Sequence, residues 1–124
     1  MATDRPTVSV CLPVYNGERF VGEAMRSILG QTLTDIELIV SDNASSDRTG
    51  EICQEEARRD PRIKYFRSDV NRGLAWNFNR AFELASGRYL VWIGHDDVMA
   101  PEYLQRCVDE LERHAEALLC FSNS

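Results

Sequence analysis

Apolar runs of strand length alternate along this chain with stretches whose apolar residues recur at helical spacing. Val8-Ser9-Val10-Cys11-Leu12 reads as a short buried strand stopped by Pro13, which cannot donate to a ladder. After the turn-rich loop Pro13-Val14-Tyr15-Asn16-Gly17-Glu18, the residues Val21, Ala24, Met25, Ile28 and Leu29 repeat with helical period, and Gly30 stands where a helix C-cap belongs. Ile36 to Val40 is a second strand, running into Ser41-Asp42-Asn43-Ala44-Ser45-Ser46-Asp47. Arg48 to Arg59 reads as a more polar helix with Ile52, Cys53 and Ala57 inward, closed by Pro61. Ile63-Lys64-Tyr65-Phe66 is short and charged, which suits a sheet edge. Beyond the turn Asn71-Arg72-Gly73, the spacing of Leu74, Phe78, Ala81, Phe82 and Ala85 predicts a third helix, ended by Ser86-Gly87. A strand from Tyr89 to Ile93 then meets Gly94 and the acidic tip His95-Asp96-Asp97. Pro101 opens a fourth helix with Leu104, Cys107, Val108 and Leu111 inward, and Ala117 to Phe121 forms a last strand.

This alternation predicts an α/β domain: a mostly parallel, Rossmann-like sheet with helices on both faces. Ligands of such sheets bind outside the carboxyl ends of the strands, where strand order reverses. The loops after the first, second and fourth strands carry Tyr15-Asn16, Asp42-Asn43 and His95-Asp96-Asp97, and they converge on one crevice if those strands are neighbours.

Composition narrows the ligand. With 124 residues, 44% hydrophobic and 27% charged, the chain can bury a core and is not a disordered segment. A formal charge of -6 argues against nucleic acid as partner, and no apolar run is long enough to span a bilayer. The N-terminus lacks the apolar region of a signal peptide. Cys11, Cys53, Cys107 and Cys120 show no C-x-x-C spacing; Cys11 and Cys120 lie in apolar runs that suit buried thiols, so a reduced, cytoplasmic setting is expected.

Adjacent carboxylates at a strand end suit a hard divalent ion, Mg2+ or Mn2+, with positions left for phosphate oxygens; the other reading of Asp96 and Asp97 is a capped turn. His95 is either a third ligand or a surface residue. Asp42 is placed to accept hydrogen bonds from a base or ribose, or else closes an Asx-turn. Tyr15 offers a face on which a nucleobase can stack, or packs under its own loop. Neither G-x-G-x-x-G nor G-x-x-x-x-G-K-[ST] occurs, so any phosphate must be carried by the metal.

Four stretches in this order resemble the inverting glycosyltransferases of family 2 with the GT-A fold. Val8 to Glu18 is similar to the opening strand and P-x-Y-N loop, and Glu37 to Asp47 to the second strand with its D-x-x-S-x-D turn. Asn71-Arg72-Gly73 with Asn79 and Ala85-Ser86-Gly87-Arg88-Tyr89 resembles the approach to the metal motif, and His95-Asp96-Asp97 the D-x-D motif itself. The resemblance implies a nucleotide-sugar donor site formed by Pro13, Tyr15, Glu18, Asp42, Asn79 and Asp96. In it Pro13 and Tyr15 border the base, Asp42 hydrogen-bonds it, Asp96 approaches the ribose and Asp97 holds Mn2+ or Mg2+ on the diphosphate. His95 replaces the first acid of the D-x-D, and Phe78 stands where the family commonly has an arginine before Asn79.

In the family the general base and acceptor site lie well downstream of the metal motif. The expectation is therefore that residues 1–124 are the donor-binding part of a longer enzyme, with no catalytic residue of their own. UDP-sugar is the favoured donor, and the acceptor, whether saccharide, lipid-linked or protein-linked, is open, as is oligomeric state. The non-enzymatic rival is a nucleotide-binding or assembly module with a degenerate site. A response-regulator receiver has similar length and alternation, but Cys11-Leu12-Pro13 stands where it needs an acid pair and Ser122-Asn123-Ser124 where it needs a lysine.

Overall fold

The structure, a computed structural model, describes residues 5–113 and 119–121. Among them the chain forms five strands and four helices in strict alternation: β1 (Val8–Val14), α1 (Val21–Leu29), β2 (Ile36–Asp42), α2 (Thr49–Arg59), β3 (Ile63–Arg67), α3 (Leu74–Leu84), β4 (Tyr89–Trp92), α4 (Tyr103–Arg113) and β5 (Leu119–Phe121). The strands make one parallel sheet in the order β3-β2-β1-β4-β5, so the expected Rossmann-like α/β class is observed. β3 takes the predicted edge position.

Alternation along the strands assigns two cores. Val8, Val10, Leu12 and Val14 of β1, with Leu38 and Val40 of β2 and Val91 of β4, meet Val21, Met25 and Ile28 of α1, Cys53 of α2, and Leu104 and Val108 of α4. The other face is thinner: Cys11 and Ile39 meet Ala81 of α3, with Phe66, Leu84, Leu90 and Trp92 packed around them. From β1 to β3 the chain moves one way across the sheet; β4 then lands on the far side of β1. Reversing direction while keeping the hand of the crossover requires the connecting helix, α3, to lie on the opposite face. The switch point therefore falls between β1 and β4.

Several boundaries differ from the sequence expectation. β1 is not stopped by Pro13 but continues to Val14, with Pro13 opposite Ser41. Cys11 O accepts the Ile93 N–H at 3.0 Å, so Cys11 and, two residues on, Pro13 turn their polar groups toward β4, whose pairing has ended by then. The missing N–H of proline consequently forfeits no ladder bond. β2 likewise runs two residues further than expected, to Asp42. α4 begins at Tyr103 rather than at Pro101. Ala117 and Leu118 of the expected last strand lie outside the described residues. In α3, Ala81 is buried, whereas Leu74, Phe78 and Phe82 are exposed because a single helix covers this face.

Cys11 and Cys53 are buried free thiols, as expected for Cys11, and burial pushes both up to about 12. Cys107 is the exception to the expected reduced state, being disulfide-bonded; the side chain of Cys120 lies outside the described residues. No described helix is long and apolar enough to cross a membrane.

Candidate functional site

Because β1 lies between β2 and β4, the three loops singled out by the sequence do meet at the carboxyl end of the sheet. They enclose a crevice of about 370 Å³. One wall is the exit of β1, Pro13-Val14-Tyr15, with Tyr15 44% exposed and so available to a ligand. Asn43, just past the end of β2, and His95, from the tip beyond β4, also line it. Asn71, Gly73, Leu74 and Asn77, from the β3–α3 loop and the first turn of α3, complete the lining.

Two of these walls touch. A methyl group at Gly17 would lie 2.6 Å from Cδ2 of His95, so the β1 loop and the β4 tip pack together at a position that only a glycine permits. At the tip itself, Asp97 N–H donates to Gly94 O at 3.1 Å, and Asp97 Oδ2 accepts the Gly94 N–H at 3.3 Å. Asp97 thus closes its own turn while keeping one oxygen uncommitted among the described residues. Asp96 is exposed, and its carboxylate makes no hydrogen bond or ion pair among the described residues. A methyl at Gly94 would stand 3.2 Å from Asp96 Oδ1 and 3.1 Å from Asp97 Oδ2, which means that both carboxylates turn toward the same side of the tip. Among the described residues no third His, Cys, Asp or Glu joins a group that could hold a metal. The oxygen that Asp97 leaves over is a hard donor, which suits a divalent ion whose remaining positions are filled by ligand oxygens and water.

The other sequence candidates are placed differently. Asp42 is buried, because the two-residue extension of β2 sends its side chain to the α2 face with Leu38 and Val40. There Oδ1 accepts the Ser45 N–H at 3.0 Å and Oδ2 accepts the Tyr65 hydroxyl at 2.5 Å; burial and that carboxylate raise the Tyr65 phenol. The structure does not bring Asp42 into the crevice, where its neighbour Asn43 stands instead. Glu18 lies outside it too, accepting the Arg48 N–H at 3.2 Å near the start of α2. Asn79 is exposed on α3, away from the lining, whereas Asn77, two residues earlier, is buried. Asn77 accepts the Ser41 hydroxyl at 2.7 Å and donates to Ser41 O at 2.9 Å and Val14 O at 3.5 Å, bridging the ends of β1 and β2.

Asn43 and Asn77 are polar lining residues to which the sequence reading gave no role. The signal for each was present as a phase: Asn43 is one residue past Asp42 on an alternating strand, and Asn77 is two residues, about 200°, from Asn79 on a helix.

Much of the remaining motif chemistry is spent holding the loops to one another. Asn16 N–H donates to Ser45 Oγ at 2.8 Å, Gly17 N–H to Thr49 Oγ1 at 2.8 Å and Glu18 N–H to Asp47 Oδ2 at 3.2 Å. In return Asn16 Oδ1 accepts the Ser46 N–H at 2.8 Å. Asp47 Oδ1 accepts both the amide and the hydroxyl of Thr49, at 3.0 and 2.6 Å. Partial burial pushes the Asp47 carboxyl up, but those bonds outweigh it and hold the group below the usual carboxylate range.

Comparisons with known proteins agree with this fold. Residues 9–123 match the family model described as glycosyl transferase family 2. The chain is 38% identical over 109 residues to an uncharacterized glycosyltransferase, EpsJ, of Bacillus subtilis, covering 88% of this chain and 31% of that one. It is 33% identical over 108 residues to a chondroitin synthase of Escherichia coli, covering 87% and 16%. Among solved structures, TarS 1–349 of S. aureus in complex with UDP-GlcNAc superposes with a TM-score of 0.80 at 28% identity, over 88% of this chain and 32% of that one. The mannosyltransferase PcManGT of Pyrobaculum calidifontis, in complex with GDP-Man and Mn2+, gives 0.79 at 28% identity, over 86% and 32%. The chain thus spans about a third or less of the length of these relatives. The family-wide match and the shared sheet place this chain in glycosyltransferase family 2, with the GT-A fold.

Proposed function

We propose that this chain is the donor-binding part of an inverting glycosyltransferase that takes a sugar from a nucleoside-diphosphate donor, UDP-sugar by preference, with the aid of Mn2+ or Mg2+. The observation that carries this reading is the crevice at the β1/β4 switch point, with an aromatic wall at Tyr15 and with His95, the residue directly before the two adjacent carboxylates, in its lining. Relatives in complex with UDP-GlcNAc and with GDP-Man and Mn2+ support the class of ligand.

In this reading Pro13 and Tyr15 border the nucleobase, with Tyr15 offering its ring as a stacking face. Asp96, without a partner among the described residues, accepts from the ribose hydroxyls. Asp97 holds the metal through its uncommitted oxygen, its second oxygen keeping the turn closed and the side chain oriented. When bound, the ion acts as a Lewis acid that neutralises charge on the leaving diphosphate. His95 carries no such role; it packs on Gly17 and sets where the tip stands relative to Tyr15. Asp42 is reassigned from base recognition to closing the Ser45 turn. The carboxylate that deprotonates the acceptor hydroxyl belongs to the part of the relatives that this chain does not cover, so the chain binds donor and turns over little.

Calorimetric titration of the 124-residue chain with UDP, with and without Mn2+, tests the proposal. Metal-dependent binding is the expected result. Binding that ignores the metal, or no binding, favours a module whose acid pair no longer holds an ion, and robust sugar transfer by this chain alone would refute the assignment of the base to another segment.

A further inference from the structure

A second cleft, of about 350 Å³, lies between the end of β3 and α3 and shares no lining residue with the donor crevice. Its walls carry three arginines: Arg67, the last residue of β3, Arg72 in the loop that follows, and Arg80 on α3. Asp69 is the one acid in the lining. Three guanidiniums against one carboxylate reverse the sign of a chain whose formal charge is -6.

The fold uses little of this cationic capacity. Arg72 gives one N–H to Asp69 Oδ1 at 3.3 Å, and its guanidinium stands 5.5 Å from the Trp76 ring centroid. Arg67 donates to Ser45 O at 3.3 Å. Arg80 is exposed and makes no hydrogen bond or ion pair among the described residues. Trp76 and Arg80 are about one turn apart on α3, which brings both to the cleft. Each guanidinium holds five N–H donors in a fixed fork, so most of the donors around the cleft are unspent by contacts among the described residues.

We propose that this cleft binds a phosphate monoester, as a site separate from the donor crevice. Such a group brings a charge of about -1.5 to -2 at neutral pH and three acceptor oxygens, which balances three guanidiniums and one carboxylate. A carboxylate ligand, with one charge and two oxygens, leaves a cation over. Guanidinium forks pair with phosphate through two parallel N–H···O bonds. The volume suits a small phosphorylated molecule, and the half-buried rings of Trp76 and Phe66 give the rest of it an apolar surface. Nothing in this chemistry requires the donor crevice to be occupied. Phosphate monoesters occur on soluble molecules and as the headgroup of phosphatidic acid, and the two sources are separable by experiment.

The test uses the 124-residue chain without divalent metal, with chloride salts of equal ionic strength as baseline. Glycerol 3-phosphate should shift the Trp76 indole N–H and the Arg80 Nε–H in NMR spectra, with saturation in roughly the millimolar range. Arg80→Gln and Arg67→Gln should each lose about tenfold in that affinity. Arg59→Gln, which removes the same charge from the exposed end of α2, should lose less than about twofold. UDP affinity in the presence of Mn2+ should be unchanged in Arg80→Gln. Sedimentation with phosphatidylcholine vesicles, with and without phosphatidic acid, forms the second arm. Retention that needs phosphatidic acid and is lost in Arg80→Gln supports the site with a lipid as its source; binding of glycerol 3-phosphate without retention supports it with a soluble source. The proposal is overturned if neither probe binds, if Arg59→Gln weakens binding as much as Arg80→Gln, or if the shifts fall on Tyr15 and His95, which would put the phosphate in the donor crevice.

Discussion

Two ends of one crevice are built on opposite plans. At the β1–β2 end, Asn16, Ser45, Asp47 and Thr49 spend nearly all their polar atoms on each other's backbone, and neighbouring Asp42 spends both oxygens on Ser45 and Tyr65. At the β4 end, Asp96 is uncommitted among the described residues and Asp97 gives one oxygen to the Gly94 N–H. Residues of the same chemical type, at loop positions equally prominent in the sequence, therefore do different work: the first set is a clasp that fixes the wall, the second a pair of free acceptors. A polar motif signals a ligand site only where its hydrogen-bonding capacity is left over after the fold has used what it needs.

Variants should separate the two plans. The largest effect is expected at Asn16, whose φ of 52° and carbonyl oxygen both serve the clasp. Asn16→Ala should lower the unfolding free energy by about 2 kcal/mol in urea titrations, combining an unpaired Ser46 amide with the strain of alanine in the left-handed region. Asp97→Asn should do the reverse: its amide oxygen can still accept the Gly94 N–H, so the thermal midpoint shifts by no more than about 2 °C, while affinity for UDP in the presence of Mn2+ falls about tenfold or more. A stability loss there as large as at Asn16 would erase the contrast. Ala44, with φ 64° inside the clasp, is strained without compensation. Ala44→Gly should stabilise the chain by about 1 kcal/mol in the same urea experiment and leave UDP binding unchanged.

The smallest expected effect is a pH dependence confined to the clasp. Asp47 has its folded pKa held below the unfolded value of about 3.9, so its stabilisation is complete above that pH and is lost as pH falls from there through the folded pKa. Asp47→Asn, which cannot be protonated in that range, should flatten the acid limb of stability measured by urea titration between about pH 4 and pH 2.

The fold was legible because apolar runs and helical spacing alternate without interruption, and each predicted element forms among the described residues. What escaped was phase. Extending β2 from Val40 to Asp42 depends on the partner strands β1 and β3, which pair with it to its end, and that extension turns Asp42 away from the crevice and Asn43 into it. Likewise Pro13 continues β1 because β4 has already diverged on the side where its N–H would be needed. On α3 the stripe of Leu74, Phe78 and Phe82 has the spacing of a core face, but the residues actually buried are Asn77 and Ala81, since the helix turns its polar side to the bridge between β1 and β2. None of these depends on local propensity; all are decided by a neighbour distant in sequence. The acid tip, by contrast, needed only a strand followed by a glycine and two aspartates.

The contact between Gly17 and His95 has a consequence for how the crevice could be tuned. With 2.6 Å between the imidazole and the site of a missing methyl, the gap separating Tyr15 from the acid pair is set by a spacer of zero length. Alanine at 17 would press on His95 and, at 2.8 Å, on Cγ2 of Val14, and so shift the β4 tip relative to the exit of β1. The width of the crevice is thus set at a residue with no side chain, and His95 is the other jaw of that gauge.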